Sequence, residues 1–369
     1  MRIHNHSNHL IRQTMRTALV LIASLTAFAT ATAQTSIVKA QPGITADGAV
    51  YYLPKTQLRI ALLVERTTFT PGEFQPYADR YLHLKDTGSE PQTTYRLAGV
   101  RMDAVGIADT SKCFSVKLKG KSVGSNIILS DEGILLAVNT DAPQTTAFVP
   151  FRPAPKPKAE NPRKYFTAEM LAAGSRAKTA ELIAQTISEL HESRQQLISG
   201  QADNLPKDGE QLRLMLDNLE RADDALTALF TGTTVSDTTE HVLYFTPEKE
   251  TERQVLFRLS QRLGLVDADD LAGAPYYITI NDLHRTPKAE EPLPDGSKDG
   301  GIYVNVPGKI RVTLRSGTET ITSEELYAAQ FGFLDLLGGQ LFRRFTTHLT
   351  LHPATGSVDK LHADMPEKK

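Results

Sequence analysis

The hydrophobic period of this chain changes twice, and that limits the folds open to it. Apolar and polar residues alternate through 45–150, apolar residues recur at helical spacing over 165–232, and alternation returns over 240–360. Period two turns successive side chains to opposite faces of a strand, whereas period 3.6 gathers them into one stripe of a helix. The expected class is mainly β with an inserted α-helical hairpin. Two β-sandwich-like or barrel-like domains, 45–150 and 240–360, would be linked by a Pro-rich connector and two long helices.

Local signals fill in this plan. The first β-rich region has strand candidates at 58–64, 95–108, 113–119, 126–130 and 134–139, with Asp131-Glu132-Gly133 as a hairpin turn. Residues 76–82 read as a short helix carrying Tyr77 and Tyr81. Pro150, Pro153, Pro155, Pro157 and Pro162 leave no apolar face around 151–164, which reads as an extended linker or a Pro-rich ligand for a partner. Helices are expected over 167–199, capped by Thr167, and over 209–231. Leu171, Ile183, Ile187, Leu197 and Ile198 form the stripe of the first, and Leu212, Met215, Leu226 and Phe230 that of the second. Such a pair offers an oligomerisation surface. From His241 the strand candidates are 241–246, 254–259, 275–281, 301–306, 309–315, 318–322 and 342–351. Pro307-Gly308 reads as a hairpin turn, and 353–356 as the last turn.

The N-terminus points to export. Arg12 and Arg16 precede an apolar run from Ala18 to Ala29, and Ala31-Thr32-Ala33 supplies the small residues a signal peptidase reads. Residues 1–33 therefore read as a signal peptide cleaved before Gln34, with Met1 or Met15 as the start. The run falls short of the ~20 apolar residues a membrane helix needs, so no transmembrane helix is expected after cleavage. The destination is the periplasm or the cell surface.

Charge and cysteine content exclude other classes. With 41 Lys+Arg against 43 Asp+Glu the chain lacks the basic excess of a nucleic-acid binder. One cysteine, Cys113, rules out a disulfide scaffold, and its place in an alternating segment suggests an unreactive, partly buried thiol.

Candidate chemistries are incomplete. Ser175-x-x-Lys178, Tyr303-x-Asn305 and Arg315-Ser316-Gly317 resemble the triplet of penicillin-binding acylases. The last two lie on consecutive strand candidates, however, and Arg replaces the usual Lys. Asp295, Ser297 and Asp299, followed by Gly300, resemble the first half of a calcium loop. Val306 stands where the bidentate carboxylate belongs, so a solvated loop is the reading, with these three as the residual metal candidate. His348 and His352, four apart in a strand, would be about 13 Å apart, too far for one ion. Asp267, Asp269 and Asp270 read as a turn. No catalytic residue and no cofactor is assigned. Tyr51, Tyr52, Tyr276, Tyr277 and Tyr303 could replace the missing Trp in a glycan platform, but adjacent tyrosines in a strand face opposite ways, so each pair offers one ring.

The order of several strings is informative where no motif is. Tyr51-Tyr52-Leu53-Pro54-Lys55-Thr56, Pro76-Tyr77-Ala78, Leu229-Phe230-Thr231-Gly232, Phe257-Arg258-Leu259-Ser260 and Ala329-Gln330-Phe331-Gly332 together resemble an uncharacterised family of exported Bacteroidetes proteins, over roughly 45–360. The resemblance implies an envelope location and a shared fold, and supplies no reaction or ligand.

The expected function is a non-enzymatic binding or structural role in the cell envelope, toward a protein or glycan partner. The alternative is a hydrolase of envelope or dietary polymers, with its site where the β-domains meet.

Overall fold

Strand β2 (Gly48–Thr70) lines two cores in turn, and its own residues say where it crosses from one to the other. Ala49, Tyr51 and Leu53 are buried on odd positions, then Leu58, Ile60, Leu62 and Val64 on even ones. The switch falls at Pro54, where pairing with β3 (Gln92–Lys117) shifts register and residues 109–112 of β3 are left without a partner on β2. A shift of one residue turns every following side chain to the other face. These coordinates come from a computed structural model that describes residues 42–45, 48–117, 126–144, 147–156, 160–202, 208–287 and 301–364. The expected signal peptide, 1–33, and the calcium-loop residues Asp295, Ser297 and Asp299 lie outside the described residues.

The architecture is mainly β, with several sheets and a half-barrel. In sheet one, β2 runs between β3 on one edge and β1 (Gly43–Thr45) and β6 (Thr233–Phe245) on the other. Sheet two contains β7 (Thr251–Ser260), β8 (Gly264–Val266), β9 (Ala274–Asp282), β10 (Ile302–Ser316) and β11 (Glu319–Leu337), in the order β11-β10-β9-β7-β8. Sheet three has β4 (Ile127–Leu129), β5 (Leu135–Val138), β12 (Thr346–Leu351) and β13 (Val358–Asp364), in the order β13-β12-β5-β4.

Two cores follow from this arrangement. Leu58, Ile60 and Leu62 of sheet one meet Ile278, Ile280, Ile310, Val312 and Leu314 of sheet two. Tyr51 and Leu53 meet Leu135, Leu349 and Leu351 of sheet three, together with Ile302 and Val304 of β10 and with Phe342 of α5 (Gly339–Arg344).

A polar knot joins the cores. The Thr56 amide donates to Gln330 Oε1 at 2.9 Å, and Gln330 Nε2 donates back to the Thr56 carbonyl at 2.7 Å, so this side chain serves as a strand partner. Asn305, 1% exposed, donates to the carbonyls of Pro54 (2.9 Å) and Thr355 (2.8 Å), and its Oδ1 accepts from Lys112 at 3.3 Å. Burial holds the Lys112 pKa below the ordinary lysine range, against the opposing pull of Asp109. Gly332 is required here, because a Cβ on it would collide with the Val306 carbonyl.

A third core is helical and contains no strand residue. Phe74 follows β2 and Phe230 precedes β6; their rings lie 6.0 Å apart. Around them pack Ala78 of α1 (Ala78–Leu82), Met170 of α2 (Ala168–Ala172), Ala180, Ile183 and Ile187 of α3 (Arg176–Ser199), and Leu226 of α4 (Gly209–Thr231). His191 of α3 also lies 2.8 Å from Asp223 of α4. Gly232 leads the chain back into β6 at φ 84°, where L side chains are strained and a Cβ would meet the Thr70 carbonyl.

Several expectations need correction. The β-rich regions are not two separate domains, because β6 completes sheet one beside β2 and β12 pairs with β5. An unpaired strand edge needs a partner, and here the late strands supply it. Pro307-Gly308 is no turn but a register shift inside β10, opposite residues 329–332 of β11. The strand expected over 342–351 begins as helix α5, and the first long helix is broken at 173–175, where Ser175 caps α3 and leaves Leu171 69% exposed. The start of the connector, residues 149–156, is held to sheet one: Phe151 N–H donates to Glu240 at 2.8 Å, Arg101 donates to the Val149 carbonyl at 3.2 Å, and Lys156 pairs with Asp237.

Candidate functional site

A groove of about 790 Å³ opens on the outer face of sheet one. Its floor is Arg59 of β2 and residues 103–106 of β3. One wall is the β4–β5 hairpin with Ser130, Asp131 and Glu132, and a second is formed by Pro143, Gln144, Ala147 and Phe148. The third is the turn at His352–Ala354 with Asp359 of β13. Strand period places Arg59 here, since its neighbours Leu58 and Ile60 face the core. The expected Asp131-Glu132-Gly133 turn is present, with Gly133 at φ 80°, and it carries two carboxylates to the rim.

Arg59 organises the floor. Its Nε donates to Asp103 Oδ1 at 3.0 Å and its Nη2 pairs with Oδ2, which raises the guanidinium pKa further. The same guanidinium lies 4.2 Å from the Phe148 ring centre, and that of Arg101 5.4 Å from it. Phe148 is thus held against two neighbouring cations of sheet one. Arg101 in turn pairs with Glu240, whose carboxyl is held below its ordinary range first by the Phe151 N–H and then by Arg101.

Glu132, Asp359 and His352 each already hold a hydrogen bond at the groove. Glu132 Oε2 accepts from the Ala108 N–H at 3.2 Å, and Asp359 Oδ2 from the Thr350 hydroxyl at 3.4 Å. His352 Nδ1 accepts from the Ala354 N–H at 3.3 Å. One cation, Arg59, stands against Asp103, Asp131, Glu132 and Asp359, a formal charge of −3 with His352 neutral. Such a lining attracts cations and repels anions.

The residues singled out from sequence are scattered by comparison. Ser175 caps α3, accepting from the Lys178 N–H, and Lys178 pairs with Glu181. Asn305 is buried in the knot, so the acylase-like triplet does not assemble. Cys113 is exposed, which corrects the partly buried reading. His348 sits on β12 and His352 beyond its end. His348 Nδ1 lies 2.5 Å from the Asn139 carbonyl, its Nε2 lies 3.4 Å from Asp364, and His362 lies 2.9 Å from the same carboxylate. Asp267 and Asp270 form a turn. Tyr276 stacks on Phe257 in the core, while Tyr277 faces out. Among the described residues, no group of three His, Cys, Asp or Glu side chains could hold a metal ion, and no helix is long and apolar enough to cross a membrane.

Arg59, Asp103, Glu132, His352 and Asp359 were not found as a group from sequence. They span 300 positions of chain with no shared motif, and only the pairing of β2, β3, β5, β12 and β13 brings them together.

Residues 47–359 match DUF4831, described as a domain of unknown function. The chain belongs to this family. The DUF4831 match crosses the connector, the helices and both β-rich regions, in keeping with sheets that interlace across all of them. It bears out the resemblance to a family without an assigned function. No curated protein and no solved structure matches the chain.

Proposed function

We propose that this protein is exported by residues 1–33 to the cell envelope and acts there as a non-enzymatic binding protein. The groove on sheet one would take a cationic, extended segment of a partner protein. The observation that carries this reading is the carboxylate-lined groove itself, whose single arginine is already neutralised by Asp103. Its volume lies within the ~300–1,000 Å³ of ligand sites.

Fluorescence anisotropy with a labelled Lys/Arg-rich octapeptide tests it. The intact protein should bind, and the triple variant Asp131→Asn, Glu132→Gln, Asp359→Asn should weaken binding by about tenfold or more at low salt. Binding that is absent, or unchanged in the variant, would count against the groove. The hydrolase alternative keeps one supporting observation, that His352 and Asp359 line the same groove. Polymer turnover that survives His352→Ala and Asp359→Asn would remove it.

Assembly through 165–232 belongs to the same reading, supported by the exposure of Ile198 (65%) and Leu214 (57%) on the helical lobe. Sedimentation velocity should show an oligomer that Ile198→Lys with Leu214→Lys dissociates. A monomeric wild type would reject it.

A further inference from the structure

The outer face of sheet two carries the opposite charge. Ile310, Val312 and Leu314 of β10 face the core, so period two turns Lys309, Arg311, Thr313 and Arg315 outward in a row, about 6.8 Å apart. Register sets Tyr327 and Glu325 of β11 beside Lys309 and Arg311, and Tyr277 of β9 beside Arg315. Tyr327 is 55% exposed with Lys309 6.0 Å from its ring centre, and Arg253 lies 4.6 Å over Tyr277.

Glu325 is the counter-charge within the row. It holds Lys309 and Arg311 at 2.7 Å each, and these two cations lower its pKa to about 2. Arg253 and Arg315 form no ion pair among the described residues. Four cations thus meet one carboxylate. Glu319 and Glu324 lie opposite Ser316 and Val312, on the core-facing positions. The balance stays positive even with Glu252, which adjoins Arg253 in the irregular stretch of β7.

We propose that this face binds an acidic polysaccharide. Arg311 and Arg315 would take its carboxylate or sulfate groups, and the Tyr277 and Tyr327 rings would flank the sugars. Guanidinium forks match such oxyanions in geometry as well as charge. Between the cations the face shows the exposed Ser323, whose hydroxyl lies 3.2 Å from that of Thr313 (8% exposed) beneath it, in place of the apolar side chains a lipid surface would take. The proposal is independent of the groove, which lies on another sheet.

The test is titration calorimetry of the full chain with a polygalacturonate octasaccharide and a heparin-derived octasaccharide at pH 7. Neutral dextran, phosphatidylglycerol vesicles and a single-stranded DNA oligonucleotide serve as the other arms. At least one acidic octasaccharide should bind, and more weakly as salt rises. Arg311→Ala with Arg315→Ala should lower affinity about tenfold or more, whereas Glu325→Gln, which frees Lys309 and Arg311, should raise it several-fold. The triple groove variant should bind the octasaccharide as the wild type does. No binding of either octasaccharide, indifference to both sheet-two variants, or equal binding of vesicles or DNA would overturn the proposal.

Discussion

Phe230→Ala is expected to destabilise the helical lobe by about 3–5 kcal/mol, the usual cost of truncating a fully buried aromatic ring. Phe230 is 0% exposed and packs against Phe74, with Leu226, Ile183 and Met170 in the same cluster. No strand residue belongs to that cluster, so the loss should fall on the lobe rather than on the sheets. Urea unfolding followed by circular dichroism at 222 nm should show the helical signal lost at lower denaturant. Amide exchange in β2 and β10 should remain slow. A shift below about 1 kcal/mol would mean that the ring pair does not anchor the lobe.

Asn305→Leu should cost about 3–5 kcal/mol, through a different mechanism. It keeps the branched shape and leaves no cavity, but it strips the carbonyls of Pro54 and Thr355 of their buried donor and removes the acceptor of Lys112. An orphaned buried polar group costs about 1–3 kcal/mol, and this change creates several. Because the knot joins two cores, the sheets should unfold together at lower denaturant. On the hydrogen-bond account Asn305→Ala loses the same donors and acceptor and exceeds Asn305→Leu only by the cost of its added cavity. If Leu proves neutral, the knot is dispensable and packing alone holds the junction.

Phe230 belongs to one of the strings that carry the family resemblance, and Asn305 donates to the Pro54 carbonyl of another. Thr56 ends one such string and Gln330 belongs to another, and the two exchange a pair of hydrogen bonds in the knot. Leu229-Phe230-Thr231-Gly232 meets Pro76-Tyr77-Ala78 in the helical core. These strings hold the junctions of the fold together, which is a physical reason for them to stand in order without forming a reaction centre.

Much of the local structure was legible because it depends on neighbours in sequence. Period two marked most strands and period 3.6 marked 167–231. Thr167 capped its helix as read, accepting from the Met170 N–H, and Asp131-Glu132-Gly133 turned between β4 and β5. The opposed faces of Tyr276 and Tyr277 followed from the pleat alone.

Partnership was not legible, for the same reason. Pro307-Gly308 has the composition of a turn, yet β10 runs through it because β11 bulges opposite and keeps the strands paired on either side. Which strand completes the edge of β2 is decided by register with β6, some 175 positions away, and a local pattern holds no record of it. The groove and the basic face are products of that pairing. Sequence by itself determined which residues alternate, which coil and which cap, since those are short-range steric and hydrogen-bonding preferences. Only the tertiary structure decided that the two β-rich regions interlace and which charges share a face, because strand edges are satisfied by whichever distant segment offers matching hydrogen bonds and apolar surface.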